Sequence, residues 1–201
     1  IDDFTEVDYS LNSLPVVFQP FIDLNLKGTV YPAGNYTGPP YAAAPFTIPD
    51  QSDSMLYLAF SEYFFQTSSF AYYSAGAFNI TIAEEVKSGK LICFLTFFFF
   101  FPQTCSYFNI SSEIFGSIIP EVAKYSVTPY PVMLKLMATE VPIISLEQDS
   151  FTAEIQGSME VFAVLPDSAT QSLFTMNIAA NTSIALNIFD QKLMGSLCLN
   201  R

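Results

Sequence analysis

The sequence predicts an α+β fold that is dominated by an antiparallel β-sheet. One stretch carries aromatic residues at helical spacing, and the second half of the chain alternates apolar and polar residues. The predicted strands also follow one another at short spacing, which is typical of a meander. A chain of 201 residues is long enough for one domain with a substantial core.

The first element is a proline-rich connector over residues 39–50, with the sequence PPYAAAPFTIPD. Each of its prolines fixes φ and biases the preceding residue toward extended geometry. We therefore expect a semi-rigid linker between residues 1–38 and residues 51–201.

A helix is predicted to begin near residue 51 and to continue to residue 74. Asp50 and Ser52 are suited to cap its first N–H groups, and Asp53 suits the positive end of the helix dipole. A step of about 100° per residue gives the helix one wide apolar face, interrupted only by Thr67. That face contains Leu56, Tyr57, Phe60, Tyr63, Phe64, Phe70 and Ala71. Such a face must be buried against a sheet or against lipid.

Strands are predicted in the second half of the chain. Apolar and polar side chains alternate over residues 132–137 and 155–163, which indicates strands with one buried face. The inward residues of the second strand would be Ile155, Met159, Val161 and Ala163, with Gln156, Ser158, Glu160 and Phe162 outward. Further strands are predicted over residues 173–180, 183–189 and 192–199. A short helix is predicted within residues 111–125.

Composition and charge restrict the classes of partner. The chain has 51% hydrophobic residues, 21 Phe and a mean hydropathy of +0.36, which is high for a soluble domain. Seven basic residues stand against 19 acidic ones, and the net charge is −12. No basic cluster is present for nucleic acid, for an anionic membrane surface or for the phosphates of lipopolysaccharide. We therefore predict an apolar partner and no nucleic acid.

The sequence offers no catalytic or metal-binding pattern. It contains no histidine, so catalytic pairs and metal sites that need this residue are excluded. It also has no G-x-S-x-G motif, phosphate-binding glycine loop or EF-hand spacing. The acid-rich segments at residues 1–8 and 49–54 are interpreted as turns or helix caps rather than metal loops. We predict no enzyme activity, no catalytic or metal site and no cofactor.

Four blocks of the sequence resemble one known family. They are PPYAAAP in the linker, DQSDSMLYLAFSEYFFQTSSFAYYSAGAFNITI from residue 50, IFGSIIPEVAKY from residue 114 and MEVFAVLPDSATQSLFTM from residue 159. These blocks are similar to the C-terminal half of the family of bactericidal/permeability-increasing protein, lipopolysaccharide-binding protein, and the phospholipid and cholesteryl ester transfer proteins. The resemblance extends over residues 8–201, apart from one insert.

The resemblance implies a more specific architecture, in which a highly twisted antiparallel sheet wraps around a long helix as a half-barrel. It implies that residues 1–38 are the end of an N-terminal half with the sheet shared between halves. Residues 51–201 would then form the C-terminal lipid-binding domain, truncated and therefore incomplete. The N-terminal barrel, which carries the basic tip that binds lipopolysaccharide in the family, is expected to be missing here. We expect lipopolysaccharide binding only through that missing half.

The resemblance also implies a function and a set of site residues. The favoured function is non-enzymatic binding, or transfer, of a phospholipid or another acyl-chain lipid in an apolar pocket of a secreted protein, with an innate-immune role. The alternative is a structural or protein-interaction half that supports the N-terminal barrel. We expect the pocket to be lined by Leu56, Phe60, Tyr63, Phe64 and Phe70.

Two further motifs concern covalent modification. Four Asn-X-Ser/Thr triplets, which indicate a secreted glycoprotein, begin at Asn35, Asn79, Asn109 and Asn181. The three cysteines are odd in number, so at least one thiol is free or pairs outside this chain. A bridge between Cys93 and Cys105 is one alternative, and buried thiols, including Cys198, are the other.

Residues 87–104 are an anomalous insert relative to the family. The apolar run at residues 91–101 is shorter than the about 20 residues of a transmembrane helix, so we predict no membrane-spanning segment. The run could be a lipid-seeking loop, a buried strand or the translation of a retained intron. We favour the intron, because FLTFFFFFPQ is what a pyrimidine tract followed by a splice acceptor would encode.

Overall fold

The computed structural model describes residues 3–19, 21–48, 53–82, 132–147, 150–164, 169–189 and 192–199. It divides into two compact units, residues 1–77 with 143–146, and residues 78–142 with 147–201. In chain order the elements are β1 Thr5–Asp8, β2 Val16–Phe18, β3 Phe21–Asp23, β4 Thr29–Pro32, α1 Glu62–Ser74, β5 Asn79–Ile82, β6 Val132–Ala138, β7 Ile143–Glu147, β8 Ser150–Val164, β9 Thr170–Phe189 and β10 Lys192–Leu199.

The strands of the first unit form two short antiparallel pairs. β1 pairs with β4, with Thr5 opposite Pro32 and Asp8 opposite Thr29. β2 pairs with β3, and the Phe18 and Phe21 rings pack 5.4 Å apart between centroids. β1 and β4 each contribute buried residues to this unit, whereas every residue of β2 and β3 is exposed.

α1 begins at a local capping signal. Ser61 has extended backbone angles, and its Oγ accepts a hydrogen bond from the Phe64 N–H at 3.3 Å. Glu62 adds negative charge to the first turn, where the helix dipole favours it. At the other end, Gly76 has a φ of +72°, a conformation that glycine adopts without a Cβ clash, and the helix ends before it.

The predicted start of the helix near residue 51 is wrong. Residues 53–60 are described and lie outside the helix, which begins eleven residues later than expected, at Glu62. The apolar spacing continues backward from Ser61, but a capping serine followed by Glu62 ends the helical hydrogen bonding at that point. Tyr57 instead closes a turn, because its hydroxyl donates to Asp53 Oδ1 at 2.6 Å and accepts from the Ser54 N–H at 2.7 Å.

Hydroxyl groups attach α1 to β4. Thr67 is completely buried, and its Oγ1 accepts from the Val30 N–H at 3.2 Å and donates to the Phe64 carbonyl at 3.1 Å. One turn earlier, the Tyr63 hydroxyl lies 3.1 Å from Thr29 Oγ1. The buried residues of α1 are Phe65, Thr67, Ser69, Ala71 and Tyr72. The small residues among them allow a close approach of the helix to the strand.

The second unit is built on an antiparallel sheet. Its strands follow the order β10-β9-β8-β6-β5, so that β8 and β9 lie in its interior. The β8–β9 pairing runs from Thr152 opposite Ser183 to Val164 opposite Thr170, with a register shift between Val161 and Phe162. This confirms the predicted mixed fold with mainly antiparallel strands. The wrapping of a twisted sheet around the helix stays a prediction.

One face of this sheet forms a core. Leu134, Leu136 and Val161 are buried together, and Ile80, Met159, Leu173, Phe174 and Ile178 pack against them. The alternation predicted for β6 is confirmed, because Leu134 and Leu136 are buried while Lys135 is exposed. In β8 the predicted inward residues Ile155, Val161 and Ala163 are buried, but the predicted outward Ser158 is buried as well. Ser158 lies three residues before the register shift.

A glycine permits the close approach of β6 and β8. A Cβ on Gly157 would lie 2.7 Å from the Met137 carbonyl oxygen, closer than real Cβ contacts allow. Gly157 stands opposite Ala138 in the register. The side-chain-free residue is therefore required by the neighbouring backbone rather than by its own φ.

The predicted meander needs one correction. Residues 173–180 and 183–189 were expected to be separate strands, but both belong to β9. Between them Thr182 is buried, and its hydroxyl donates to the Ala153 carbonyl at 3.0 Å, so the polar triplet continues the strand instead of turning. The third predicted strand coincides with β10. The predicted helix at residues 111–125, the insert, and the Cys93 and Cys105 thiols lie outside the described residues.

Candidate functional site

A groove lies beside the first turn of α1 in the first unit. Its volume is about 330 Å³, at the lower end of the range for small-molecule sites. One wall is the extended linker, and the other is the start of the helix. The lining residues are Ala42, Ala44, Pro45, Phe46, Phe60, Ser61, Glu62, Tyr63, Gln66 and Leu146.

Aromatic rings support the helical wall of this groove. Phe60 precedes the helix, and its ring centroid lies 5.2 Å from that of Phe64 and 6.3 Å from that of Phe65. The rings of Phe64 and Phe65 meet edge to face at 5.4 Å. Such tilted and edge-to-face pairs are the favoured arrangements of aromatic side chains. Phe60, 44% exposed, carries this cluster to the groove surface.

Glu62 supplies the one charged group of the groove lining. Its Oε2 accepts a hydrogen bond from the Leu146 N–H at 3.1 Å, and its Oε1 accepts one from the Gln66 side-chain amide at 2.5 Å. Neither partner is a cation, and the groove lining contains neither lysine nor arginine. The groove therefore combines an apolar surface with a negative edge.

The structure separates the five predicted lining residues. Phe60 and Tyr63 line the groove. Phe64 does not line the groove but packs against the ring of Phe60. Phe70 packs edge to face on Tyr41 of the linker, with ring centroids 6.3 Å apart. Leu56 lies before the helix and is 72% exposed. No single described cavity contains all five.

The sequence pattern predicts neither the linker wall of the groove nor the exposure of the apolar residues just before α1. Phe46 comes from the proline-rich linker, which was expected only to connect two segments. Leu56 and Phe60, which are predicted to lie on a buried helical face, are exposed, and so are Met55 and Leu58 of the same segment. The Ser61 capping signal, a serine followed by an acidic residue, could have revealed this boundary.

A second groove of about 330 Å³ lies along β1 and β4 and is more polar. It is lined by Glu6, Val7, Asp8, Tyr31 and Tyr36. Hydrogen bonds from the Ser10 hydroxyl and backbone N–H, and from Lys27, lower the pKa of Asp8 to about 2. The hydrogen bond of the Tyr36 hydroxyl to Glu6 raises the pKa of Tyr36. The carboxylates of Asp8 and Glu6 thus hydrogen-bond to neighbouring side chains and backbone, and we interpret them as structural groups of the β1–β4 pair.

Two other features, a metal-binding cluster and a membrane-spanning helix, are absent from the described ranges. No group of three or more histidine, cysteine, aspartate or glutamate side chains could hold a metal ion there. Among the same residues, no helix is long and apolar enough to cross a membrane.

Three of the four Asn-X-Ser/Thr triplets fall on described residues, and their acceptor side chains are exposed. Asn35 lies in a loop after β4, Asn79 begins β5 and Asn181 lies within β9. Asn109 lies outside the described residues. The three exposed positions therefore differ in backbone conformation rather than in access to solvent.

The similar known proteins fall into one group. Residues 1–201 match the LBP / BPI / CETP family, C-terminal domain. The chain is 37% identical to the BPI fold-containing family C protein of Homo sapiens and 35% identical to that of Mus musculus, each over 201 residues, which is 100% of this chain and 36% of the relative. It is 27% identical to the lipopolysaccharide-binding protein of Oryctolagus cuniculus over 202 residues, covering 98% of this chain and 38% of that protein.

The chain thus spans little more than a third of the length of these relatives. Among solved structures, the crystal structure of lipopolysaccharide binding protein aligns with a TM-score of 0.46 and 18% identity. That alignment covers 99% of this chain and 39% of the other.

Proposed function

Because the chain belongs to the LBP / BPI / CETP family, C-terminal domain, we propose that it serves in the binding of a phospholipid or another acyl-chain lipid. The resemblance identified from the sequence blocks is confirmed by this membership. The family consists of non-enzymatic lipid-binding proteins, which confirms the prediction that the chain is not an enzyme.

The observation that carries the proposal is the apolar surface around the start of α1. Phe46 and Phe60 face the groove there, and Met55, Leu56 and Leu58 extend the exposed apolar surface toward the preceding segment. Large exposed apolar patches on a folded protein mark binding surfaces. Burial of such surface by an acyl chain contributes about 25 cal/mol per Å².

The charge of the site favours a neutral or zwitterionic lipid. The groove lining contains Glu62 and neither lysine nor arginine, and the whole chain carries a net charge of −12. An anionic headgroup would be repelled from such a surface. Lipopolysaccharide, which gives one relative its name, would need a basic surface supplied by another part of a longer protein.

The five residues predicted from the sequence remain our proposed contacts with lipid. Phe60 and Tyr63 would contact the ligand directly at the groove, whereas Leu56, Phe64 and Phe70 would take part if the sheet wraps around α1 as the family resemblance implies. Homologues in the family are typically secreted, and we propose secretion and an innate-immune role for this protein as well.

Lipid extraction coupled to native mass spectrometry tests the proposal. The chain, expressed in animal cells, is expected to carry phospholipid. Phe60→Asp removes an apolar contact and adds charge, so bound lipid should fall about tenfold or more. Phe18→Asp is the matched control, because Phe18 is 52% exposed in the same unit and does not line the groove.

The outcome of this pair separates the two functional classes. Loss of lipid in Phe60→Asp alone, with unchanged circular dichroism in both variants, supports binding at the groove. Equal lipid content in both variants and the parent would contradict it.

A structural or protein-interaction role is the second candidate, and the β2–β3 hairpin favours it. Val17, Phe18, Phe21 and Ile22 are all exposed on this hairpin, which gives the first unit an apolar surface apart from the groove. A chain without bound lipid that forms a complex with an N-terminal half of a relative, and loses that complex on Phe18→Asp, would establish this role instead.

A further inference from the structure

The loop that follows β4 contains the first Asn-X-Ser/Thr triplet in a tight, exposed turn. Gly34 has a φ of +70°, which lets the chain reverse directly after the strand. The Ala33 N–H donates to the Phe4 carbonyl at 2.8 Å, and the Asn35 N–H donates to the Pro32 carbonyl at 3.0 Å. Backbone hydrogen bonds therefore fix the position of Asn35 at the end of the β1–β4 pair.

The side chain of Asn35 closes a second turn within the triplet. Its Oδ1 accepts from the Thr37 N–H at 3.2 Å and from the Thr37 hydroxyl at 2.5 Å. This is the Asx-turn that asparagine favours in loops. Both contacts use the carbonyl oxygen, so neither of them occupies the amide nitrogen Nδ2 of this exposed residue. The hydroxyl that defines the triplet is thus already beside the amide group.

The middle residue of the triplet holds the turn against the strand pair. The Tyr36 hydroxyl donates to Glu6 Oε2 at 2.6 Å, and its ring meets Tyr31 edge to face with centroids 5.6 Å apart. Glu6 and Tyr31 are paired with each other across β1 and β4. The turn is therefore supported by side chains as well as by backbone.

The other two described triplets have a different geometry. Asn79 and Thr81 lie in β5 opposite Met137 and Lys135, and Asn181 and Ser183 lie in β9 opposite Glu154 and Thr152. In a strand, where residues two apart are separated by about 6.6–6.8 Å, the extended backbone does not make the turn that the Asn35 side chain closes. Neither triplet can form the Asx-turn without breaking its strand pairing.

We propose that Asn35 is a preformed acceptor for an N-linked glycan and that it is modified in the folded protein in preference to Asn79 and Asn181. Glycosylation of Asn35 in the cell requires that the protein is secreted, so this inference rests on the proposed secretion. Asn35 Nδ2 attacks the anomeric carbon of the first sugar of a polyprenyl-diphosphate-linked oligosaccharide. The bond from that carbon to the diphosphate oxygen breaks as the C–N bond forms, polyprenyl diphosphate leaves, and one amide proton passes to a base of the transferase.

Glycan transfer to the purified chain tests the proposal without depending on secretion. Unglycosylated, folded 201-residue chain is incubated with a purified oligosaccharyltransferase and its lipid-linked oligosaccharide donor, and glycopeptide mass spectrometry gives the occupancy of each triplet. The same reaction is run on chain unfolded in urea and then diluted into the assay. Occupancy at Asn35 should exceed that at Asn79 and Asn181 at least fivefold in the folded chain, and this ratio should fall in the unfolded chain.

Two variants at one position complete the test. Thr37→Val keeps the shape of the side chain but removes the hydroxyl, so modification of Asn35 should be lost, whereas Thr37→Ser should retain it. Equal occupancy of the three triplets in the folded chain would overturn the proposal, as would an Asn35 that is modified only after unfolding or not at all. If the purified reaction modifies Asn35 but protein expressed in animal cells carries no glycan there, the result would contradict the proposed secretion and not the preference for Asn35.

Discussion

Thr67 illustrates how a single polar side chain can anchor a helix. The aromatic spacing of the sequence marks this residue only as an interruption of an apolar face. In the structure it is completely buried, and its hydroxyl serves both the Val30 N–H of β4 and the Phe64 carbonyl of α1. A buried N–H group without a partner is costly, so this position needs the hydroxyl of Thr67. The apolar spacing of the helix face alone would be satisfied equally well by a phenylalanine.

Thr67→Val is expected to destabilise the first unit. The substitution keeps the volume but leaves the buried Val30 N–H without its partner, which should cost about 1–3 kcal/mol in the free energy of unfolding. Urea denaturation measures this loss. Thr81→Val is the control, because Thr81 is exposed on β5, and it should change the free energy by less than about 0.5 kcal/mol. Equal effects of the two variants would contradict the anchoring role.

Asp8 makes stability depend on pH in the acid range. Hydrogen bonds from Ser10 and from Lys27 lower its pKa from 3.8 to about 2. Since the folded-state pKa is the lower one, the stabilisation is fully present above pH 3.8 and is lost as the pH falls toward 2. The carboxyl carbon shift of Asp8, followed by NMR, should titrate near pH 2, and Asp8→Asn should flatten the pH dependence of stability between these values. A titration near 3.8 would contradict these contacts.

At the scale of elements, periodicity predicts what is buried on one side and fails where a boundary depends on local hydrogen bonds. β6 is found because burial on one side produces alternation of apolar and polar residues. The predicted range of β10 coincides with the observed strand. The start of α1 is missed because residues 56–60 satisfy the same spacing as the helix, while the Ser61 cap decides where it begins. β9 is split in the prediction at the polar residues Asn181 and Thr182, because the hydrogen bond of Thr182 to the Ala153 carbonyl of β8 is not visible in the sequence.

The site is predictable to a similar extent. Phe60 and Tyr63 are found from their spacing, and both line the groove. Phe46 could not be assigned to it from sequence, because its position depends on how the linker packs against the first turn of α1. The spacing of residues thus identifies the face of one element, but it does not reveal the packing contact between two elements.

Gly157→Ala is expected to disrupt the contact between β6 and β8. The added Cβ would lie 2.7 Å from the Met137 carbonyl oxygen, so one strand must shift, at a cost of about 1–3 kcal/mol. Thermal denaturation of the second unit should show a lower midpoint. Gly38→Ala is the control, because a Cβ there meets no atom within 4 Å. A midpoint unchanged in Gly157→Ala would indicate a wider strand separation than the structure has.

At the scale of the whole molecule, apolar composition and negative charge occur together. The chain has 51% hydrophobic residues and a net charge of −12. The first property favours contact with lipid, and the second opposes contact with an anionic surface. Together they predict selection among lipid surfaces by charge.

Vesicle binding measures this selection. At low ionic strength the chain should bind phosphatidylcholine vesicles several-fold more than vesicles containing phosphatidylglycerol, because the negative lipid repels the negative protein. Raising the salt concentration toward 1 M shortens the Debye length to about 3 Å and should reduce the difference. Stronger binding to the anionic vesicles, in flotation assays at both salt concentrations, would show that a local cationic surface dominates the net charge.

The glycine at the crossing of β6 and β8 also bears on how the sheet finds its alignment during folding. A slip of two residues keeps every side chain on its own face, so periodicity alone does not forbid it in a pairing as long as that of β8 and β9. A slip of two between β6 and β8 would bring Ile155 or Met159 against the Met137 carbonyl, where only a glycine fits. Gly157 therefore disfavours this slipped pairing and favours the observed register.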